Sequence, residues 1–114
     1  MPNPVVHFEI TGPNGKALQD FYRNLFDWHV NADNPMNYGV VDTHAGGING
    51  GVGDGEDRVT VYVEVDDLQA FLDKAERLGG RMIMPVTEIP NMVTFALFAD
   101  PGGHVIGLVK SQAQ

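Results

Sequence analysis

The stretch VVHFEI, residues 5–10, has the apolar content of a buried strand but carries two titratable side chains, His7 and Glu9. Residues two apart in a strand project from the same face, so this imidazole and this carboxylate point together, away from Phe8. Such a pair can transfer protons, bind a cationic group or contribute metal ligands. It can equally be a hydrogen-bonded pair that only holds a strand. What the pair does depends on the elements around it.

The composition narrows the classes of function. The chain has 114 residues and no cysteine, which fits one compact domain, residues 1–114, and excludes disulfides, thiolate metal sites and cysteine nucleophiles. Seven basic and fifteen acidic residues give a net charge of −8. This charge disfavours nucleic acid and anionic membranes as partners and favours a neutral or cationic small molecule. No apolar run approaches the ~20 residues of a membrane span, and MPNPVV lacks the basic and apolar regions of a signal peptide. We expect a cytoplasmic protein.

An internal repeat organises the chain. VVHFEIT (5–11) resembles TVYVEVD (60–66), so that Glu9 matches Glu64 and His7 matches Tyr62. Each copy leads into apolar residues at i, i+3, i+4 and i+7, the spacing of an amphipathic helix. The residues are Leu18, Phe21, Tyr22 and Leu25 in the first helix, and Leu68, Phe71, Leu72 and Ala75 in the second.

Three short strands are predicted after each helix. They lie around WHVNA, NYGVVDT and GINGGV in the first half and RMIMPVT, VTFALFA and HVIGLVK in the second. Asn14 is the expected N-cap of the first helix and Asp66 or Asp67 that of the second, which ends at Gly79-Gly80. With GDGED (53–57) as the linker, the pattern predicts an α+β protein of two tandem βαβββ modules, about 4–53 and 57–110. A single ferredoxin-like βαββαβ domain is the rival layout, but it needs two strands between the helices where the sequence has four.

Three motifs carry a resemblance to a known family. FYRNLFDW, VEVDDLQAFLDKAERLGG and EIPNMVTFALFADPGGHVIGL resemble segments of the glyoxalase/bleomycin-resistance/extradiol-dioxygenase proteins, the vicinal oxygen chelate superfamily. The likeness covers roughly residues 5 to 110. It implies a curled, cup-shaped mixed sheet with helices outside, a ligand site in the cup and a homodimer. It also implies that members using a divalent metal take its ligands from the first and last strand of each module.

At those implied positions the sequence retains one metal ligand. His7 occupies the first, but its repeat partner is Tyr62, and the last strands supply Gly107 and, on the same spacing, Gly50. Glycine has no side chain to offer, and a catalytic metal site needs about three protein ligands. We therefore expect no metal and no other cofactor. A site rebuilt from His7 with Glu9 and Glu64 stays open as an alternative.

The remaining histidines do not supply the missing metal ligands. His29 lies at a strand edge, His44 in a loop and His104 at a turn. No two of them have a spacing that would present two imidazoles together. Trp28, the only tryptophan, either packs in the core beside Phe26 or forms a wall of the ligand site.

Strand parity defines the candidate site, a mixture of polar and apolar groups that suits a ligand pocket. The alternative is a solvated or dimer-facing sheet surface. Three functions follow: a small-molecule binding protein without the family metal; a glyoxalase-like lyase or isomerase acting through His7, Glu9 or Glu64; and an interaction module with a vestigial cup. The candidate ligand-binding residues are His7, Glu9, Thr60, Tyr62, Glu64 and Trp28.

Overall fold

A computed structural model describes residues 2–111, which form two compact units. The first unit is Val6–Thr60, and the second comprises residues 2–5 and 61–111. The elements in chain order are β1 (Val5–Gly12), α1 (Gly15–Phe26), β2 (His29–Asn31), β3 (Gly39–Asp42), β4 (Asn49–Asp54), β5 (Arg58–Val65), α2 (Leu68–Arg77), β6 (Arg81–Ile89), β7 (Val93–Ala99) and β8 (Val105–Lys110).

The two units repeat one strand order. In the first, β1 pairs parallel with β4, and β4, β3 and β2 follow antiparallel. In the second, β5 pairs parallel with β8, and β8, β7 and β6 follow antiparallel. The α+β class and the βαβββ repeat are confirmed. The ferredoxin-like layout is wrong, because four strands lie between the helices.

Helix α1 begins at its predicted N-cap, and only part of its apolar face packs against the core. The Asn14 side chain accepts a hydrogen bond from the Ala17 amide at 3.2 Å, which satisfies one of the helix's unpaired N–H groups. Leu18 and Tyr22 pack against the buried valines of the first unit. Phe21 is 56% and Leu25 55% exposed, however, although both match the apolar spacing. The buried residues of the helix, on the face that it turns toward the sheet, are Gly15 and Gln19.

Helix α2 follows its prediction more closely. Asp67 is the N-cap and accepts from the Ala70 amide at 3.1 Å. Leu68 and Leu72 are buried, and Phe71 packs beside them. The helix ends at Arg77, and Gly79 just beyond has φ 103°, a left-handed conformation that glycine adopts without steric cost. Among residues 2–111 there is no helix with the length and apolar character needed to cross a membrane.

The alternation of the two repeated strands sorts their side chains onto two faces. Phe8 and Ile10 pack against the core cluster beneath α1, as Val63 does beneath α2. The intervening His7, Glu9 and Glu64 therefore project from the opposite face, as the sequence predicted. The same alternation predicts that Val59, near the start of β5, lies under the helices, but this residue is 70% exposed. The helix-covered core thus begins after this residue.

Candidate functional site

One tyrosine joins the two titratable residues of β1. The Tyr38 hydroxyl lies 3.0 Å from Nε2 of His7 and donates to Oε2 of Glu9 at 2.9 Å. All three side chains are partly buried and belong to the first unit. His7 and Glu9 are thus linked through a phenol and form one hydrogen-bonded chain.

This chain determines where protons reside. A tyrosine hydroxyl carries one proton, and Tyr38 donates it to the Glu9 carboxylate. The hydroxyl oxygen therefore accepts from His7, which requires a proton on Nε2 and assigns the neutral ring to the Nε2–H tautomer. Burial lowers the pKa of His7 below its ordinary value of 6.5, and the Glu9 charge opposes part of this effect. His7 is accordingly neutral at physiological pH.

The Tyr38 backbone is held by the turn that precedes β3. The Asn34 side chain accepts from the Tyr38 amide at 3.0 Å and donates to the Tyr38 carbonyl at 2.7 Å. Gln19, which is 6% exposed, donates from α1 to the carbonyls of Asn37 at 3.1 Å and Val52 at 2.8 Å. Because Gln19 ties the turn to β4, it fixes the segment that carries the phenol.

The Tyr38 ring needs a glycine beneath it. A Cβ on Gly51 would overlap the hydroxyl and the ring carbon that bears it. Gly51 is the register partner of Glu9 in the parallel pairing of β1 with β4. The glycine-rich last strand therefore creates the space in which the phenol reaches both β1 side chains.

The second unit contains a similar arrangement. Tyr62 is 7% exposed, and its register partner in β8 is Gly107. A Cβ on Gly107 would overlap the Tyr62 ring. Glu64, partly buried on the same face of β5, is anchored through its backbone, whose amide donates to the Pro4 carbonyl at 2.9 Å.

Two predicted ligand-binding residues have other surroundings. Thr60, in the first unit, is 2% exposed, and its hydroxyl has no hydrogen-bond partner within residues 2–111. Trp28 stacks on Tyr22 with ring centroids 5.7 Å apart and lies 5.4 Å from Phe8. Trp28 also lies 5.1 Å from Phe26, as expected for packing in the core, whereas Phe8 projects from the face of β1 opposite His7.

Two open surface clefts flank helix α1. One, of about 470 Å³, is lined by residues 23–24 and 27–30 and includes Trp28. The other, of about 460 Å³, is lined by side chains that include Lys16, Gln19 and Asp54. Neither cleft is lined by His7 or Glu9, so these two clefts and the titratable cluster are separate features.

A comparison with protein families identifies the family to which this chain belongs. The family model of the glyoxalase-like domain matches residues 7–109. The chain belongs to the glyoxalase-like family.

This glyoxalase-like chain is similar to a mycobacterial protein in sequence and to several solved structures in fold. It is 30% identical over 104 residues to the Mycobacterium tuberculosis protein CFP32, which is provisionally named a glyoxylase; the match covers 81% of this chain but 40% of that protein. Methylmalonyl-CoA epimerase from M. tuberculosis has the same fold, with a TM-score of 0.69, 14% identity, and coverage of 96% of this chain and 88% of the epimerase. A glyoxalase/bleomycin resistance/dioxygenase superfamily member from Vibrio splendidus has a TM-score of 0.67, 13% identity, and coverage of 96% and 100%.

The second module of this glyoxalase-like chain does not fit the divalent-metal site that the superfamily resemblance implies. Its two ligand positions hold Tyr62 and Gly107, and the Tyr62 ring fills the space that a side chain at 107 would need. In the first module, Nε2 of His7 is engaged by the Tyr38 hydroxyl. Within residues 2–111, no three or more His, Asp or Glu side chains are grouped to hold a metal ion.

The register also corrects the expected position of the fourth ligand. The sequence spacing assigned it to Gly50, but a Cβ there would overlap Phe8, which packs toward the helix-covered core. The β4 residues that pair with His7 and Glu9 are Asn49 and Gly51. Gly50 therefore does not line a site beside His7, and its lack of a side chain does not affect metal binding there.

The residue that the sequence analysis missed is Tyr38. It lies just before β3, so strand alternation assigns it no face. A signal was present in the two neighbouring glycines of β4, since a strand position without a side chain leaves room for a ring from another strand. The sequence did not indicate which ring would occupy that room.

Proposed function

We propose that this glyoxalase-like chain is a small-molecule binding protein whose site is built on Glu9, Tyr38 and His7, and that it works without the divalent metal of its superfamily. The observation that carries the proposal is the single phenol hydroxyl that contacts both the imidazole and the carboxylate. These two hydrogen bonds hold three polar side chains in fixed positions, so that they can bind a ligand without a metal ion.

The engaged imidazole nitrogen supports metal independence. A histidine binds a metal through a nitrogen lone pair, and Nε2 of His7 carries a proton that it donates to Tyr38. Binding an ion at this nitrogen would require loss of the hydrogen bond and of the tautomer.

The charge of the site determines the ligand class that we propose. Glu9 is an anionic acceptor whose carboxylate Tyr38 holds in place, and the neutral His7 adds no positive charge. The chain as a whole carries a net charge of −8. Ligands with ammonium or other hydrogen-bond-donating groups are therefore favoured, and carboxylates and phosphates are disfavoured.

The test combines elemental analysis with thermal shifts. The purified chain is assayed for bound zinc, nickel, manganese and iron, and then screened against matched sets of amines, neutral aromatic compounds, carboxylates and phosphates. We expect no stoichiometric metal bound through His7, and we expect stabilisation by donor-bearing ligands. For a ligand so found, Tyr38→Phe should weaken binding by about 1–3 kcal/mol, because the carboxylate loses the donor that orients it.

Tyr22→Phe is the matched control for that variant. It also removes one phenol hydroxyl, from a ring that stacks in the aromatic cluster beneath α1. Binding should be unchanged. Stoichiometric metal bound through His7, or equal ligand affinity in wild type and Tyr38→Phe, would contradict the proposal.

A second candidate function is proton transfer by a glyoxalase-like lyase or isomerase. The observation that favours it is the partly buried imidazole that contacts the Tyr38 hydroxyl, because burial lowers the pKa of His7 and so favours the neutral form that can act as a base. An epimerase and a provisionally named glyoxylase are among the chain's structural and sequence relatives. We infer that any such activity would use His7 as the base and Tyr38 with Glu9 to hold its tautomer.

Isotope exchange tests this candidate directly. Carbonyl compounds with an acidic C–H bond are incubated with the chain in D₂O, and deuterium incorporation is followed by NMR. Exchange that His7→Gln abolishes and Tyr22→Phe leaves intact would establish catalysis. Absence of exchange across the panel would leave the binding function as the better account.

A further inference from the structure

Two histidines outside β1 lie side by side in the first unit. His29 is the first residue of β2 and pairs with Asp42, the last residue of β3. His44 follows two residues later, and its ring centroid lies 5.9 Å from that of His29 at an interplanar angle of 66°. The expectation that no two histidines would come together is therefore wrong, because the antiparallel register and the turn join residues fifteen positions apart in sequence.

The turn holds His44 in position. Its φ is 55°, a left-handed conformation that is uncommon for residues with a side chain and in which histidine is enriched. The Asp42 carboxylate accepts from the His44 amide at 2.9 Å and lies 3.6 Å from its Nδ1. The Thr43 amide donates to the Asn49 side chain at 3.1 Å. The backbone that carries this ring is thus fixed on both sides.

The ring separation suits a shared metal ion. A ligating imidazole places its nitrogen about 2.0–2.1 Å from zinc, so each ring centroid is roughly 3 Å from the ion, and two rings on one tetrahedral ion are roughly 5 Å apart. The observed 5.9 Å exceeds this value by about 1 Å. Both side chains are exposed, so small rotations about χ1 and χ2 can close the difference.

We propose that His29 and His44 form a surface site for a first-row transition-metal ion of the class that imidazole prefers, Zn²⁺, Ni²⁺ or Cu²⁺, with water completing the shell. Asp42 is a positioning residue, since its carboxylate orients the backbone and ring of His44. The absence of a third grouped His, Asp or Glu ligand among residues 2–111 makes this an exchangeable two-imidazole site rather than a structural centre. It is independent of His7 and of the proposed ligand site.

Calorimetric titration of the full chain with Ni²⁺, and then with Zn²⁺, tests the proposal. We expect one ion per chain, with affinity reduced about tenfold or more by His29→Ala and by His44→Asn. Asparagine is chosen at position 44 because it tolerates the left-handed backbone while removing the imidazole. Asp42→Asn should cause a smaller loss and shift the His44 ring resonances in the metal-free protein.

Two controls distinguish this site from others. His104 also faces a carboxylate, Asp100, at 3.1 Å, but as a single exposed imidazole, so His104→Ala should leave the titration unchanged. His7→Gln should do the same, which separates this proposal from the proposed function. The proposal is overturned if neither ion binds, if His29→Ala and His44→Asn bind as wild type does, or if His7→Gln removes the binding.

Discussion

The ring of Tyr62 lies over Gly107, its register partner across the parallel pairing of β5 with β8, in the space where any other residue at 107 would place its Cβ. The two positions therefore depend on each other. A glutamate at 107, the residue that the superfamily resemblance implies for a metal ligand, cannot be introduced without moving the tyrosine. A metal-ligating side chain at 107 and the present position of the Tyr62 ring therefore exclude each other.

We predict that Gly107→Ala destabilises the chain by about 1–3 kcal/mol, because the added methyl group overpacks against a buried ring. In a Tyr62→Val background the same change should cost less, since the smaller side chain leaves room. Urea denaturation of the four proteins measures this coupling. Gly47→Ala is the control, because a Cβ there meets nothing within 4 Å. Equal costs of Gly107→Ala in both backgrounds would show that the ring is not the obstacle.

We predict that Gly51→Ala breaks the link between His7 and Glu9. The added Cβ would overlap the Tyr38 hydroxyl, so the phenol must leave both of its hydrogen-bond partners. Nitrogen NMR of the His7 ring should show the Nε2–H tautomer in wild type and mixed tautomers in the variant. Tyr38→Phe should reproduce the change. Unaltered ring signals in Gly51→Ala would mean that the hydrogen bond does not set the tautomer.

We predict that Gln19→Leu costs about 1–3 kcal/mol of stability, because it leaves the buried Val52 carbonyl without its donor. The loss should also loosen the turn that carries Tyr38, visible as faster amide exchange there. Gln69→Leu on α2 is the matched control, since that exposed side chain bonds only Asp73 one turn along the helix. A cost shared by both variants would point to helix propensity rather than to the buried hydrogen bond.

We predict that His7 makes stability fall as the pH falls. The pKa of His7 is lowered in the folded state, so the unfolded chain binds its proton first. The contribution of His7 to the free energy of unfolding is therefore constant above about pH 6.5, the pKa of the histidine in the unfolded chain. It decreases as the pH falls below that value, until the pKa of His7 in the folded state is passed. Thermal melts between about pH 5.5 and 7 should have a shallower slope in His7→Gln than in wild type. Gln69→Leu, which removes no ionisable group, should keep the wild-type slope.

We predict a homodimer. Strand β6 is the outermost strand of its sheet, and its exposed apolar side chains give a second copy a surface to bury. Light scattering at micromolar concentration should give twice the chain mass, and Val86→Lys should shift the distribution to monomer. A wild-type chain that stays monomeric would refute the prediction. The exposed large apolar residues of β6 are Met82, Ile83, Met84 and Val86.

The module layout and the faces of the repeated strands could be predicted because they follow from local periodicity. Alternation placed Phe8 and Val63 under the helices from their neighbours alone. Helix spacing was less reliable. Phe21 matched the apolar period but is exposed, because buried Gln19 supplies hydrogen bonds that turn a different face of α1 toward the sheet.

By itself, the amino-acid sequence determined the family, the βαβββ repeat and the pairing of an imidazole with a carboxylate on one strand face. Tertiary structure alone decided what joins them. Tyr38 is 31 positions from His7, and the two meet because the Asn34 turn aims the ring and a glycine of β4 makes room for it. A contact across that distance depends on turn geometry and strand register, which no local pattern encodes. The same holds for His29 and His44.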